Sequence, residues 1–200
     1  MKSPIMLGRS SSRRRYANRS YLPGDASRYD PAHVPPQTRV TAVGNQTRTT
    51  DTSPNPDPFD LARFLTAQDP IHADALGEIR SGRKRSHWMW FVFPQASGLG
   101  TSHTARNYAI RSVAEARAYL AHPVLGHRLR ECAEALRRVR GKSASEIFGY
   151  PDDAKLRSSM TLFAFVAEED SVFEEVLARY FGGKPDPLTL RFIERGAAPE

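Results

Sequence analysis

Between positions 83 and 108 the chain gathers Arg83, Lys84, His87, Trp88, Trp90, Gln95, Gly98, Gly100, Ser102 and Tyr108. Cationic and hydrogen-bonding groups beside flat aromatic faces and a glycine-bearing loop are what a site for a planar ligand needs. Gly98-Leu99-Gly100 would let backbone amides approach a phosphate, with Arg83, Lys84 and Arg106 adding charge. A G-x-G that lacks the rest of a dinucleotide fingerprint and follows no clear strand also reads as a plain turn. Both indoles have a second reading as core residues with Nε1 bonded to backbone. If 88–93 is helical, Trp88 shares a face with Phe91 or Val92 and Trp90 points elsewhere, so the aromatics do not all serve one pocket. Lys155 and Ser158, three apart on a predicted helix, meet on one surface and superficially resemble a Ser–Lys catalytic pair, a spacing that also recurs by chance.

Metal chemistry finds little support in the spacing. His122 and His127 are five apart, where helical ligand pairs sit three or four apart, and no H-E-x-x-H or partner carboxylate accompanies them. Cys132 is the single cysteine, which excludes an intramolecular disulfide and a multi-cysteine zinc site. It falls on the apolar stripe of a predicted helix, where a thiol is inert packing. No metal or cofactor is expected, a reducing compartment fits, and whether the chain is an enzyme stays open.

The elements that must hold these residues begin after a change in composition. Residues 1–57 carry seven of the 15 prolines, and their apolar side chains follow no period. Such a stretch cannot bury enough apolar surface to offset the entropy of ordering it, so 1–56 is expected to be a disordered basic arm. That region holds nine Lys or Arg against four Asp, which is +5 of the total +7 and leaves +2 for the remainder. A nearly neutral folded part is unlike a dedicated DNA-binding domain. Polyanion attraction therefore belongs to the arm, weak and salt-sensitive. Ser10 to Arg19 shares the Arg- and Ser-rich, acid-poor composition of organelle transit peptides, and suits a bacterial tail as well. No apolar run approaches the ~18 residues a membrane span needs, and no secretory signal core is seen, so a cytoplasmic, bacterial-type protein is expected.

From Asp57 to Arg195 the apolar spacing is helical, with 196–200 read as a tail. Asp57-Pro58 reads as a helix start, and a second helix carries Ile71, Ala75, Leu76 and Ile79 up to Ser81-Gly82. The run Trp88 to Phe93 fits a buried strand or a buried helical turn, and Gln95 to His103 reads as a loop. Ser112 and Glu115 have capping-box spacing. Pro123 opens a long helix with the stripe Val124, Leu125, Leu129, Cys132, Leu136 and Val139, closed by Gly141. Asp152 is a cap candidate for a helix that is apolar on two faces and so central. Two more helices follow, over 172–181 and from Asp186-Pro187. About seven short helices make an all-α, multihelical single domain, in which the 123–139 and 152–166 helices are expected to pack together.

Ile79 to Tyr108, with Glu115 to Leu120, His122 to Gly126, Asp153 to Leu156, Ser158 to Phe163 and Tyr180 to Gly183, resembles the domain of unknown function 1810 family over about residues 58–195. That resemblance implies a small, mainly helical protein, hence a helix at 88–93, with no assigned activity. A calpastatin label sometimes attached to the family describes a disordered repeat inhibitor, which this repeat-free pattern does not support. The leading functional expectation is a pocket for a nucleotide-like or phosphorylated small molecule, formed by 83–108 against the Lys155–Ser159 helix. The alternative is a protein-interaction module without catalytic activity, using the same residues as an exposed aromatic patch. In a third reading those residues only hold an unusual turn.

Overall fold

Asp57, the first of the described residues, starts the first helix in an indirect way: its carboxylate accepts from the amides of Leu61 and Ala62 at 2.8 and 2.9 Å. The cap thus spans a turn over 57–61, and α1 starts at Ala62 and not directly after Pro58. The structure, a computed structural model, describes residues 57–197, and the expected basic arm over 1–56 lies outside the described residues. Ten helices follow in order among the described residues: α1 (Ala62–Gln68), α2 (His72–Arg80), α3 (Met89–Val92), α4 (His103–Asn107), α5 (Val113–Ala121), α6 (Leu125–Arg138), α7 (Ala144–Phe148), α8 (Asp152–Val166), α9 (Val172–Phe181) and α10 (Pro187–Ala197). No strand forms among them; a lone parallel bridge joins Ala96 to Ile110.

The expected helices are present, and α3 settles the 88–93 run as a helical turn. Two elements were not foreseen, α4 and α7, each five residues long. At that length apolar periodicity has too few repeats to register. The capping box belongs to Ser143 and Glu146 at the start of α7. Ser112 performs only half of one, its hydroxyl accepting from the Glu115 amide at 3.0 Å while the Glu115 carboxylate is used elsewhere. Asp152 is likewise the first residue of α8 and not its cap.

Packing follows the stripes. Leu125, Leu129, Cys132 and Leu136 of α6 are buried, whereas Val124 is 39% exposed. The two longest helices do not form the expected pair: α5 and α9 each pack against both α6 and α8 and bridge them. Because α8 is apolar on two faces, it also receives α3, α7 and α10. An aromatic chain runs through this core, from Phe64 to Tyr119 (5.0 Å between centroids), then Phe163 (5.3 Å) and Phe173 (5.9 Å). The α5–α6 corner depends on Gly126, where a Cβ would lie 2.0 Å from the Leu120 carbonyl oxygen. No helix among the described residues is long and apolar enough to cross a membrane.

Candidate functional site

Glu78, on the last turns of α2, organises the loop that follows. Its carboxylate accepts from the amides of Arg85 (2.7 Å) and Ser86 (3.1 Å), the Ser86 hydroxyl (2.6 Å) and the Trp88 indole Nε1 (2.8 Å). These donors outweigh the cost of burial and hold its carboxyl at about 2. Gly82, at φ +64, turns the chain out of α2; its carbonyl accepts from Lys142 Nζ at 2.9 Å. The Lys84 amide donates to the Ile147 carbonyl at 2.7 Å. The loop is therefore fastened to α2 and to the α7 region.

What that fastening delivers is the Lys84 ammonium, 2.7 Å from Asp152 Oδ2. Lys155, one turn along α8, donates to Asp152 Oδ1 at 2.7 Å. The three side chains are only 10, 15 and 17% exposed, in the order Lys84, Asp152, Lys155. Each ammonium also stands over an indole, Lys84 at 5.4 Å from the Trp88 ring centre and Lys155 at 4.5 Å from that of Trp90. Such cation–aromatic contacts are electrostatically attractive. The result is two cations sharing one anion against two aromatic rings.

Of the residues singled out from sequence, Lys84, Trp88, Trp90 and Lys155 thus come together, with Asp152 as the link that sequence reasoning took for a helix cap. Arg83 and His87 are exposed on the same loop. Trp88 is a core residue, with its Nε1 on the Glu78 carboxylate and not on backbone. Ser158 faces another way: buried, it shares a 2.7 Å hydrogen bond with Thr189 of α10, while Lys155 is engaged by Asp152.

Gln95, Gly98, Gly100, Ser102 and Tyr108 belong to a second unit. Gln95 accepts from the Ile110 amide through its backbone carbonyl. Gly98 takes φ +88, and a Cβ at Gly100 would meet that of Ala105 at 2.5 Å, so both glycines serve the turn itself. Ser102 caps α4 by accepting from the Ala105 amide. The Tyr108 ring packs on Phe64 and Phe91, with centroids 5.9 and 5.2 Å apart.

Sequence reasoning missed the ion pair that anchors this second unit. Arg63 of α1 pairs with Glu115 of α5 at 2.5 Å, the side chains being 8 and 1% exposed. The guanidinium also donates to the carbonyls of Phe59, Asp60, Asn107 and Ala109. Glu115 accepts in addition from the Arg111 amide at 2.7 Å. Glu115 draws notice only for its capping-box spacing, and nothing near Arg63 in sequence points to a partner 52 positions away.

Other reactive groups are quiet. Cys132 Sγ lies 3.8 Å from His72 Nε2, but burial pushes the thiol up to about 12 and lowers the imidazole, so neither ionises readily at neutral pH. Among the described residues no three His, Cys, Asp or Glu are grouped to hold a metal ion. Two open grooves lie away from the lysine cluster. One, of about 570 Å³, runs along α6 beside Arg80, Arg130 and Glu134; the other, of about 780 Å³, borders Arg117 and the 166–173 connection.

A family model described as "Protein of unknown function (DUF1810)" matches residues 58–193. No curated protein matches the chain. Among solved structures, the crystal structure of the conserved hypothetical protein Rv1873 from Mycobacterium tuberculosis is similar at 52% sequence identity and a TM-score of 0.68, the alignment covering 69% of this chain and 99% of that one.

Proposed function

The chain belongs to the DUF1810 family, whose description names no activity, and on that premise we propose that it binds a small anionic ligand, nucleotide-like or otherwise phosphorylated, at the Lys84–Asp152–Lys155 cluster. One observation carries this reading: two largely buried ammonium groups share a single carboxylate, which leaves one positive charge without a fixed anion among the described residues. An uncompensated charge away from bulk water is costly to the free protein. A phosphate arriving there regains that cost, and the adjoining indoles offer a planar group an apolar face. Exposed Arg83 and His87 on the pinned loop add donors at the rim.

The interaction-module alternative needs exposed aromatics, and here Trp88 is buried while Trp90 and Tyr108 are half-buried. We place the activity in the 57–195 unit, in a reducing, cytoplasmic setting suited to its single buried thiol. The arm would contribute weak polyanion attraction at most.

A thermal-shift screen of the full chain against nucleotides, ADP-ribose-like compounds and sugar phosphates tests the reading. Ligand at 100 times its Kd adds about 2.7 kcal/mol of stability and raises the melting temperature accordingly. Lys84→Met with Lys155→Met should abolish the response. Silence across the whole panel, or a response that survives the double substitution, refutes it.

A further inference from the structure

The charge count of the lysine cluster bears on which anions suit it, an inference that rests on the anion-binding reading above. Lys84 and Lys155 contribute two positive charges and Asp152 one negative, all within ion-pair distance at 2.7 Å. The cluster therefore carries one net positive charge.

We propose that Asp152 is a specificity-determining residue that tunes this site to singly charged phosphate esters, favouring phosphodiesters over terminal phosphomonoesters. A phosphodiester bears one negative charge and brings the cluster to neutrality. A phosphomonoester at alkaline pH bears nearly two, because its second ionisation lies near pH 6, so its extra charge faces the Asp152 carboxylate across a few ångströms of poorly solvated space. Repulsion between like charges is strong where water is scarce. Asp152 cannot turn aside, since both of its oxygens are held by lysines, and it occupies a donor direction of each ammonium that a second phosphate oxygen would otherwise take. It acts as a resident anion that leaves room for one more charge.

The test compares two ligands that differ by one charge and share base and sugar: adenosine 5′-monophosphate and its 5′-methyl phosphate ester. Each is titrated calorimetrically into the full chain at about pH 8, where the monoester is doubly charged. The wild-type chain should bind the methyl ester about tenfold more tightly. Asp152→Asn, which keeps an oxygen acceptor and removes the charge, should erase or invert that ratio. Binding with equal or monoester preference in the wild type, or a ratio unchanged in Asp152→Asn, overturns the role of Asp152 while leaving the anion site standing. Absence of binding by both nucleotides overturns the Asp152 proposal, and the anion site falls with it only if the wider phosphate panel is silent as well. Should Asp152→Asn fail to fold, the wild-type ratio alone still decides.

Discussion

Arg63 with Glu115, and Lys84 with Asp152 and Lys155, are two ion clusters similarly withdrawn from water whose hydrogen bonds are distributed in opposite ways. The Arg63 guanidinium has five N–H donors, and all five are used, on four carbonyls and one carboxylate oxygen. Its charge is matched one to one by Glu115, whose other oxygen takes the Arg111 amide. In the second cluster two ammoniums, with three donors each, meet a single carboxylate among the described residues. Neutral and saturated, the first can only hold helices together. With two ammoniums on one carboxylate, the second is the cluster on which the anion-binding proposal rests.

The largest effect should come from the saturated side. Arg63→Leu leaves the Glu115 carboxylate buried without its cation, and denaturant unfolding should register a loss of about 3–5 kcal/mol. A loss below about 1 kcal/mol would show that water reaches Glu115 and that the two clusters are alike. Next is Glu78, a carboxylate with four donors and no ion-pair partner among the described residues. Its carboxyl sits at about 2 in the fold against a usual 4.5. The stabilisation it supplies is therefore complete above about pH 4.5 and drains away as pH falls toward 2, amounting to about 1–2 kcal/mol once solvent screening of this partly exposed group is allowed for. Urea titrations between pH 5 and about 2.5 should show a shallower acid decline in Glu78→Gln than in the wild type; parallel declines would assign the loss to other groups.

Smaller still is the expected cost of opening the lysine cluster. Lys155→Met leaves Lys84 on Asp152, and unfolding should shift by about 1 kcal/mol or less while the ligand-induced melting shift disappears. A destabilisation rivalling that of Arg63→Leu would move this cluster into the structural class. Least of all should change at Cys132: with its thiol held near 12 and fully covered, an aromatic disulfide reagent at about pH 8 should modify it only as fast as the protein unfolds. Rapid labelling of the native chain would expose His72 and Cys132 as a third, accessible pair.

Much of the helical architecture was legible because long amphipathic stripes announce themselves. Leu125 to Leu136 repeats over about three turns and Leu156 to Phe163 over about two, enough for the α-helical period to stand out. Elements of four or five residues carry no such signal: α4 and α7 were unseen, and α3 was inferred from resemblance and not from pattern. The site was half legible for a different reason. Clustering of Arg83 to Trp90 in sequence pointed at the loop, but residues close along the chain divide between two units once Pro94 and the Ala96–Ile110 bridge turn the backbone. Asp152 was visible only as a cap candidate, since nothing local says that its partners are lysines, one of them 68 positions away. Arg63 escaped for the same reason, with Asn107, Ala109 and Glu115 lying 44 to 52 positions on, and Glu78 because its donors sit in a loop seven to ten positions later, outside any helical period.

The chain has two tryptophans, and the fold assigns them unequal optical roles. Trp88, sealed in the core with its indole N–H on Glu78, should emit at short wavelength and stay constant so long as the loop is fastened. Trp90, half-buried beneath the Lys155 ammonium, should change brightness or colour whenever that ammonium is drawn aside. Unlabelled protein thus carries a reference lamp and a sensor a few residues apart, and a single emission spectrum can separate occupation of the lysine cluster from loosening of the domain.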